Sequence, residues 1–292
     1  MLLSSVKMNK IEVKVINPAA VEESERMMVA MARLTQRGHK ISCMDDFDKL
    51  METEYTKELV ATLTNLPHPT IQKFGIVCIA IIGASRRFLG QITRHQNEVK
   101  FMSGSLQYSD YTGAAQFCVP YELIELDKSW RGSYLKSVSE SDKGPINIYL
   151  NSCAASLETY EKLTRMVGRD AAGYAMPQGL RNVLVIGATP YQWKHMISQR
   201  ICKRNTLETM YIMLRCWEEL SKYSTILDEA GPSCMQYGCN EGKMSCGEQL
   251  ATPEILTIKQ AWECSWPTAM LSAYFPLIVA QSSDNSGCFA GC

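Results

Sequence analysis

Two short stretches of this sequence gather side chains able to grip a polar ligand. The first is Gln91-Ile92-Thr93-Arg94-His95-Gln96-Asn97-Glu98. Gln91 and Arg94 stand three apart and share one face if the segment is helical. A carboxamide suits a base edge or ring carbonyl, and a guanidinium suits a phosphate or another anion. The second stretch runs from Tyr191-Gln192-Trp193-Lys194-His195 to Gln199-Arg200-Ile201-Cys202-Lys203-Arg204-Asn205. There His195 and Gln199 stand four apart, and Arg200 begins the next turn. On composition alone the first stretch reads more readily as a solvated helix end with basic residues complementing the macrodipole, and the second also reads as an amphipathic helix with a basic exposed face.

The elements that must position these residues follow from periodicity. Residues 11–16 alternate apolar and polar side chains, the period of a half-buried strand. Apolar residues at helical spacing predict helices over 20–37, with Gly38 as the stop, and over 44–65. The run Leu66-Pro67-His68-Pro69-Thr70 must break the second helix. Residues 74–82 are apolar and rich in β-branched side chains, which predicts a strand covered on both faces. Ser85 then caps a helix reaching Arg94. Residues 97–117 lack clear periodicity. A long helix is expected over 144–166, a second strand over 181–188, and helices over 191–201 and 207–222. Both polar stretches therefore follow buried strands, an architecture that places side chains at pocket mouths. The expected class is α/β, helices packed on a mixed sheet in one domain over 9–223, with a loop-rich, cysteine-containing extension over 224–292.

Composition removes other classes. The chain has 292 residues with 30 Lys+Arg against 30 Asp+Glu, so bulk electrostatics offer no hold on nucleic acid. A content of 46% hydrophobic and 21% charged residues rules out whole-chain disorder. No stretch reaches the roughly 18–20 apolar residues of a membrane span, and the N-terminus does not read as a signal peptide. The expected location is cytoplasmic, with no membrane partner. Six of the twelve cysteines, Cys43, Cys78, Cys118, Cys153, Cys202 and Cys216, read as small buried hydrophobes. Cys234, Cys239 and Cys246 crowd a Gly-rich stretch at a spacing unlike the usual zinc patterns, and no metal is assigned. G-x-G-x-x-G, P-loop, G-x-S-x-G and H-E-x-x-H motifs are absent.

At these residues the sequence resembles the flavin-dependent thymidylate synthases. That family carries R-H-R, seven residues and then Ser, preceded by a helical Gln. Gln91-x-x-Arg94-His95 matches its start, and Ser105 with Tyr108-Ser109 matches its end. His68-Pro69-Thr70 resembles the H-x-T entry to the strand. The run from Gln199 to Glu208 resembles the helix L-R-L-C-x-R-A-Q-W-E, and Ala175-Met176-Pro177 resembles the V-L-P step. The resemblance spans about residues 11–220 in consistent order. Departures are specific. Gln96 stands for the third motif residue, the spacer before Ser105 has eight residues, Gln107 and Gly173 stand where arginines are expected, and Thr189 and Tyr191 replace flavin-contacting Asn and Arg. Lys100, Arg181 or another base takes over, or the ligand differs.

The resemblance implies a homotetramer with FAD at shared sites. It implies methylation of dUMP at C5 with methylenetetrahydrofolate as carbon donor and NADPH as hydride donor. Arg200 is then the catalytic residue, polarising the pyrimidine, and Gln91, Arg94, Ser105 and Gln107 bind the nucleotide. His68, Thr70, Arg94, His95, Gln96, Thr189, Tyr191 and His195 approach the flavin. A close variant acting on another pyrimidine nucleotide, or a non-catalytic nucleotide- or flavin-binding subunit, is the alternative.

Overall fold

A computed structural model describes residues 5–8, 11–126, 135–136, 144–228, 230–236, 238–247 and 277–280. In chain order the first elements are β1 (Ser5–Met8), β2 (Glu12–Val15), α1 (Ala19–Arg37), α2 (Met44–Glu52) and α3 (Lys57–Thr64). After a 3-10 turn at Pro69–Lys73 come β3 (Val77–Ser85), α4 (Arg86–Ile92), β4 (Val99–Ser103), β5 (Gln116–Val119), α5 (Tyr121–Leu126) and β6 (Leu135–Lys136). The chain continues through α6 (Pro145–Val167), α7 (Arg169–Ala172), β7 (Arg181–Ala188), α8 (Pro190–Arg200) and α9 (Leu207–Ser221). Two short helices, α10 (Thr225–Asp228) and α11 (Ser233–Gln236), and the strand β8 (Leu277–Ala280) complete it.

The central sheet has the order β2-β3-β7-β4, and a second sheet has the order β5-β8-β1-β6. Helices packed on a sheet is the class expected from the sequence. Within it, every ladder among the described residues is antiparallel. Val77, Ile79 and Ile81 of β3 and Leu184, Ile186 and Ala188 of β7 turn one face of the central sheet to the core, where α1, α8 and α9 cover it. A second apolar cluster lies under α6, around Phe117, Ile146, Leu150, Tyr160 and Leu180.

Several expectations need correction. The helix over 44–65 is two helices, because a partner from elsewhere in the chain intervenes. Arg33 donates to the backbone oxygens of Thr53 (3.1 Å) and Glu54 (2.9 Å), and Thr56 opens α3 by accepting from the N–H of Leu59. Gly38 is not a left-handed cap; its φ is −55° and the chain runs on into a 3-10 turn. The strand over 74–82 lies at Val77–Ser85, with one face fully buried and the other only partly covered: Cys78 and Ala80 are intermediate and Ile82 is exposed. The unpatterned 97–117 region contains β4 and β5, whose four or five residues are too short to show a period. Just past residue 223, Ile226, Leu227 and Ala230 are buried, and Trp217 donates to the carbonyl of Leu227 at 3.0 Å. Cys264, Cys288 and Cys292 lie outside the described residues.

Candidate functional site

Three elements meet at the site, and each is anchored at its start. α4 begins at Ser85, whose hydroxyl accepts from the N–H of Phe88 at 3.1 Å. Ser85 in turn donates to Glu208 at the start of α9, from its N–H at 2.8 Å and its hydroxyl at 2.6 Å. Burial pushes the Glu208 carboxyl up, and the two Ser85 donors oppose that shift. α8 opens on Thr189 and α9 on Thr206, each accepting a backbone N–H of its own first turn.

This framework brings Gln91, His95 and Arg200 together. Arg200 donates from Nε to Nε2 of His95 at 2.8 Å, from Nη2 to the carbonyl of Gln91 at 3.2 Å, and from Nη1 to Asn205 at 3.4 Å. A guanidinium has five N–H groups, so two remain for a ligand. The Gln91 side-chain oxygen accepts from the hydroxyls of Thr206 and Thr209. Its NH2 is then the edge left to recognise an acceptor. Thr206 and Thr209 are not among the expected site residues, although Thr206 falls in the Gln199–Glu208 run and the two make a T-x-x-T spacing at a helix start.

Because His95 Nε2 is an acceptor, its proton sits on Nδ1 and the ring is neutral. His95 is 7% exposed, and burial, with Arg200 and His195 beside it, lowers its pKa to about 4. The ring of His195 meets it edge-on at 5.7 Å, and burial followed by Arg200 lowers the His195 pKa as well. Between its ordinary value near 6.5 and about 4, the unfolded chain takes up a proton at residue 95 that the folded chain refuses. Stability should therefore fall as pH drops through that window and should be insensitive to this group above about 7. His95→Gln keeps an acceptor but does not titrate, so its Tm should fall less between pH 7 and 4 than that of the wild type. Parallel Tm profiles would assign the acid sensitivity to other groups.

The other expected residues divide. Arg94, Gln96, His68 and Thr70 are exposed. The 3-10 turn that follows His68 packs against α8. Thr189 is committed internally: it caps α8 and donates to Glu98 at 3.2 Å. Tyr191 has Lys73 over its ring at 5.0 Å, and Lys73 also pairs with Glu98 at 2.8 Å. No hydrogen bond among the described residues links Ser105 or Gln107 to Gln91 or Arg200. The Ser105 hydroxyl accepts from the N–H groups of Gln107 and Tyr108, closing a tight turn, and Gln107 is exposed. A Cβ at Gly173 would meet Leu106 at 3.2 Å, so the two positions lacking the expected arginines flank one another. A cavity of about 420 Å³ adjoins this framework, lined by Ser85, Thr206, Glu208, Arg87, Cys118 and Tyr149 among others. Among the described residues no group of three or more His, Cys, Asp or Glu side chains gathers to hold a metal, and Cys234, Cys239 and Cys246 are free thiols. No helix among them is long and apolar enough to cross a membrane.

Comparison with known proteins identifies the family of the chain. The family model described as thymidylate synthase complementing protein matches residues 17–224. The flavin-dependent thymidylate synthase of Pyrococcus furiosus is 23% identical over 202 residues, covering 66% of this chain and 76% of that protein. That of Clostridium tetani is 23% identical over 215 residues, covering 70% and 82%. Among solved structures, the UMP/dUMP methylase PolB from Streptomyces cacaoi, bound with 5-Br dUMP, superposes with a TM-score of 0.57 at 15% identity, covering 76% of this chain and 95% of that one. Thymidylate synthase X from Helicobacter pylori, with FAD and dUMP, gives 0.50 at 16% identity, covering 75% and 99%. The chain belongs to the flavin-dependent thymidylate synthase family, as a divergent member.

Proposed function

We propose that this protein is a flavin-dependent methyltransferase acting at C5 of a uracil nucleotide, dUMP or its close relative UMP. The observation that carries the reading is the donor edge made by Gln91 and Arg200. With the Gln91 oxygen engaged by Thr206 and Thr209, only N–H groups are left to face a ligand. Such an edge complements the carbonyl oxygens of uracil, and the guanidinium favours negative charge developing on the ring as C5 becomes nucleophilic. UMP stands beside dUMP because PolB, which acts on both, shares the fold.

The residues near this edge fit a flavin by the chemistry of their donors. His68, Thr70, Arg94, Gln96 and His195 offer exposed donors suited to an anionic cofactor with many acceptors. Thr189 and Tyr191, engaged within the fold, contribute by holding Glu98 and Lys73 instead. Bound FAD would supply the redox chemistry, with NADPH and methylenetetrahydrofolate as co-substrates. His95, neutral and holding the Arg200 Nε, keeps the guanidinium aimed without competing for its charge.

A homotetramer with shared sites belongs to the same proposal. Ile82 and Val183 are cross-strand partners on the open face of the central sheet, and Met102 lies on that face, paired with Val185. Ile82, Val183 and Met102 are all exposed. An apolar sheet face of this kind suits a second copy of the chain. The Ser105–Gln107 turn, apart from Gln91 in one protomer, then serves a partner's nucleotide.

Purified protein tests the reading directly. It should load with FAD, lose its flavin absorbance on anaerobic addition of NADPH, and form the 5-methyl product from dUMP or UMP once methylenetetrahydrofolate is added. Light scattering should report a tetramer. A colourless protein that cannot be loaded with FAD would overturn the enzyme and leave a nucleotide-binding family member without turnover.

A further inference from the structure

Seven buried side-chain polar atoms have no hydrogen-bond partner among the described residues, and three are N–H donors from one neighbourhood: Arg86 Nη1, Arg181 Nε and Asn182 Nδ2. The backbone makes these residues neighbours. Ser85 is in register with Arg181 and Ala84 with Asn182, and the N–H of Arg86 donates to the carbonyl of Leu180 at 3.0 Å. Asn182 is 3% exposed, and its side-chain oxygen accepts from the N–H of Val183 at 2.9 Å. A Cβ at Gly104 would lie 2.9 Å from that oxygen and 3.4 Å from the Tyr111 hydroxyl. Both guanidinium groups act electrostatically on Tyr111, and no carboxylate does so. Neither arginine forms an ion pair among the described residues.

Buried donors without partners are unfavourable unless something answers them. Here every unanswered group is a donor, and two carry full positive charge. We infer that Arg86, Arg181 and Asn182, with the Tyr111 hydroxyl, form a pocket for a phosphate monoester. Two planar forks, an amide and a phenol approaching from different elements match a tetrahedral dianion better than a planar carboxylate. The pocket adjoins Gly104 and the turn at Ser105, next to the positions where Gln107 and Gly173 replace arginines. This inference rests on the nucleotide reading above and deepens it: the pocket takes the phosphate end of the nucleotide, which the absent arginines would otherwise hold.

The test uses the Arg86→Gln/Arg181→Gln double variant, with titration calorimetry of dUMP and of deoxyuridine. Affinity for dUMP should fall on the order of 10- to 100-fold or more, while deoxyuridine binding is unchanged. The Tm of the ligand-free variant should be equal to or above that of the wild type, because two unpaired charges are gone. Inorganic phosphate should raise the Tm of the wild type and not of the variant. A lower ligand-free Tm with dUMP and deoxyuridine weakened alike would assign the arginines a structural role and overturn the pocket. If the wild type binds neither dUMP nor deoxyuridine, the uracil reading fails by itself. The phosphate-induced Tm shift then still decides: its presence in the wild type alone sustains the pocket, and its absence removes it.

Discussion

Replacing Arg200 by lysine should lower kcat on the order of 10²-fold or more, about 2.7 kcal/mol in barrier, and leave flavin content nearly unchanged. The geometry explains why a retained charge is not enough. Arg200 reaches His95 at 2.8 Å, the Gln91 carbonyl at 3.2 Å and Asn205 at 3.4 Å, and it still has two N–H groups for the ligand. A lysine concentrates three donors on one atom and cannot span those partners while also facing a pyrimidine. Burial and the neighbouring Arg94 already work against positive charge here. An ammonium in that place sheds its proton far more readily than a guanidinium. Loss of the Nε donor also leaves the buried Nε2 of His95 without its partner. Steady-state kinetics with dUMP, alongside the ratio of flavin to protein absorbance, reads the outcome. Unchanged kcat and KM would return Arg200 to the status of a surface arginine on an amphipathic helix and remove the centrepiece of the proposed site.

How much of this was legible in the sequence depended on the range over which the determining contact acts. α1, α6, α9 and β7 lie within a residue or two of their expected bounds, because each carries enough turns or alternations to fix its own period. The division of α2 from α3 was not legible, since it depends on Arg33 capturing carbonyls 20 and 21 residues away. The site follows the same rule. Gln91, His95 and Arg200 are found by residue type and motif order. What brings them together as a candidate site is a set of hydrogen bonds spanning 105 to 123 residues of chain, from Arg200 to His95, Thr209 to Gln91 and Ser85 to Glu208. No local pattern announces Thr209 as the partner of Gln91. Thr189 shows the converse: motif position suggested a flavin contact, whereas its hydroxyl is occupied with capping α8 and holding Glu98.

The second large effect concerns the anchoring of α8, the helix that delivers His195 and Arg200. Trp193 is fully buried in that helix, and its indole N–H donates to the carbonyl of Val77 at 2.9 Å, tying α8 to the first residue of β3. Trp193→Ala removes a large apolar side chain from a closed core and leaves a cavity, which should cost about 3–5 kcal/mol. That is a large fraction of the stability of an ordinary domain, about 5–15 kcal/mol. Trp193→Phe keeps much of the buried area and loses only the hydrogen bond and part of the volume, so its cost should be nearer 1–2 kcal/mol. Urea denaturation of the three proteins measures both. Arg200→Lys, by contrast, should move the urea midpoint far less, because Arg200 is only partly buried and sits at the end of the helix. The pair of experiments therefore separates the residue proposed to do the chemistry from the residue that holds its helix in place. Equal losses in Trp193→Ala and Trp193→Phe would show that the bond to Val77, rather than the packed indole, holds α8 against the sheet. Arg200 would then owe its position to a single hydrogen bond at the other end of its helix.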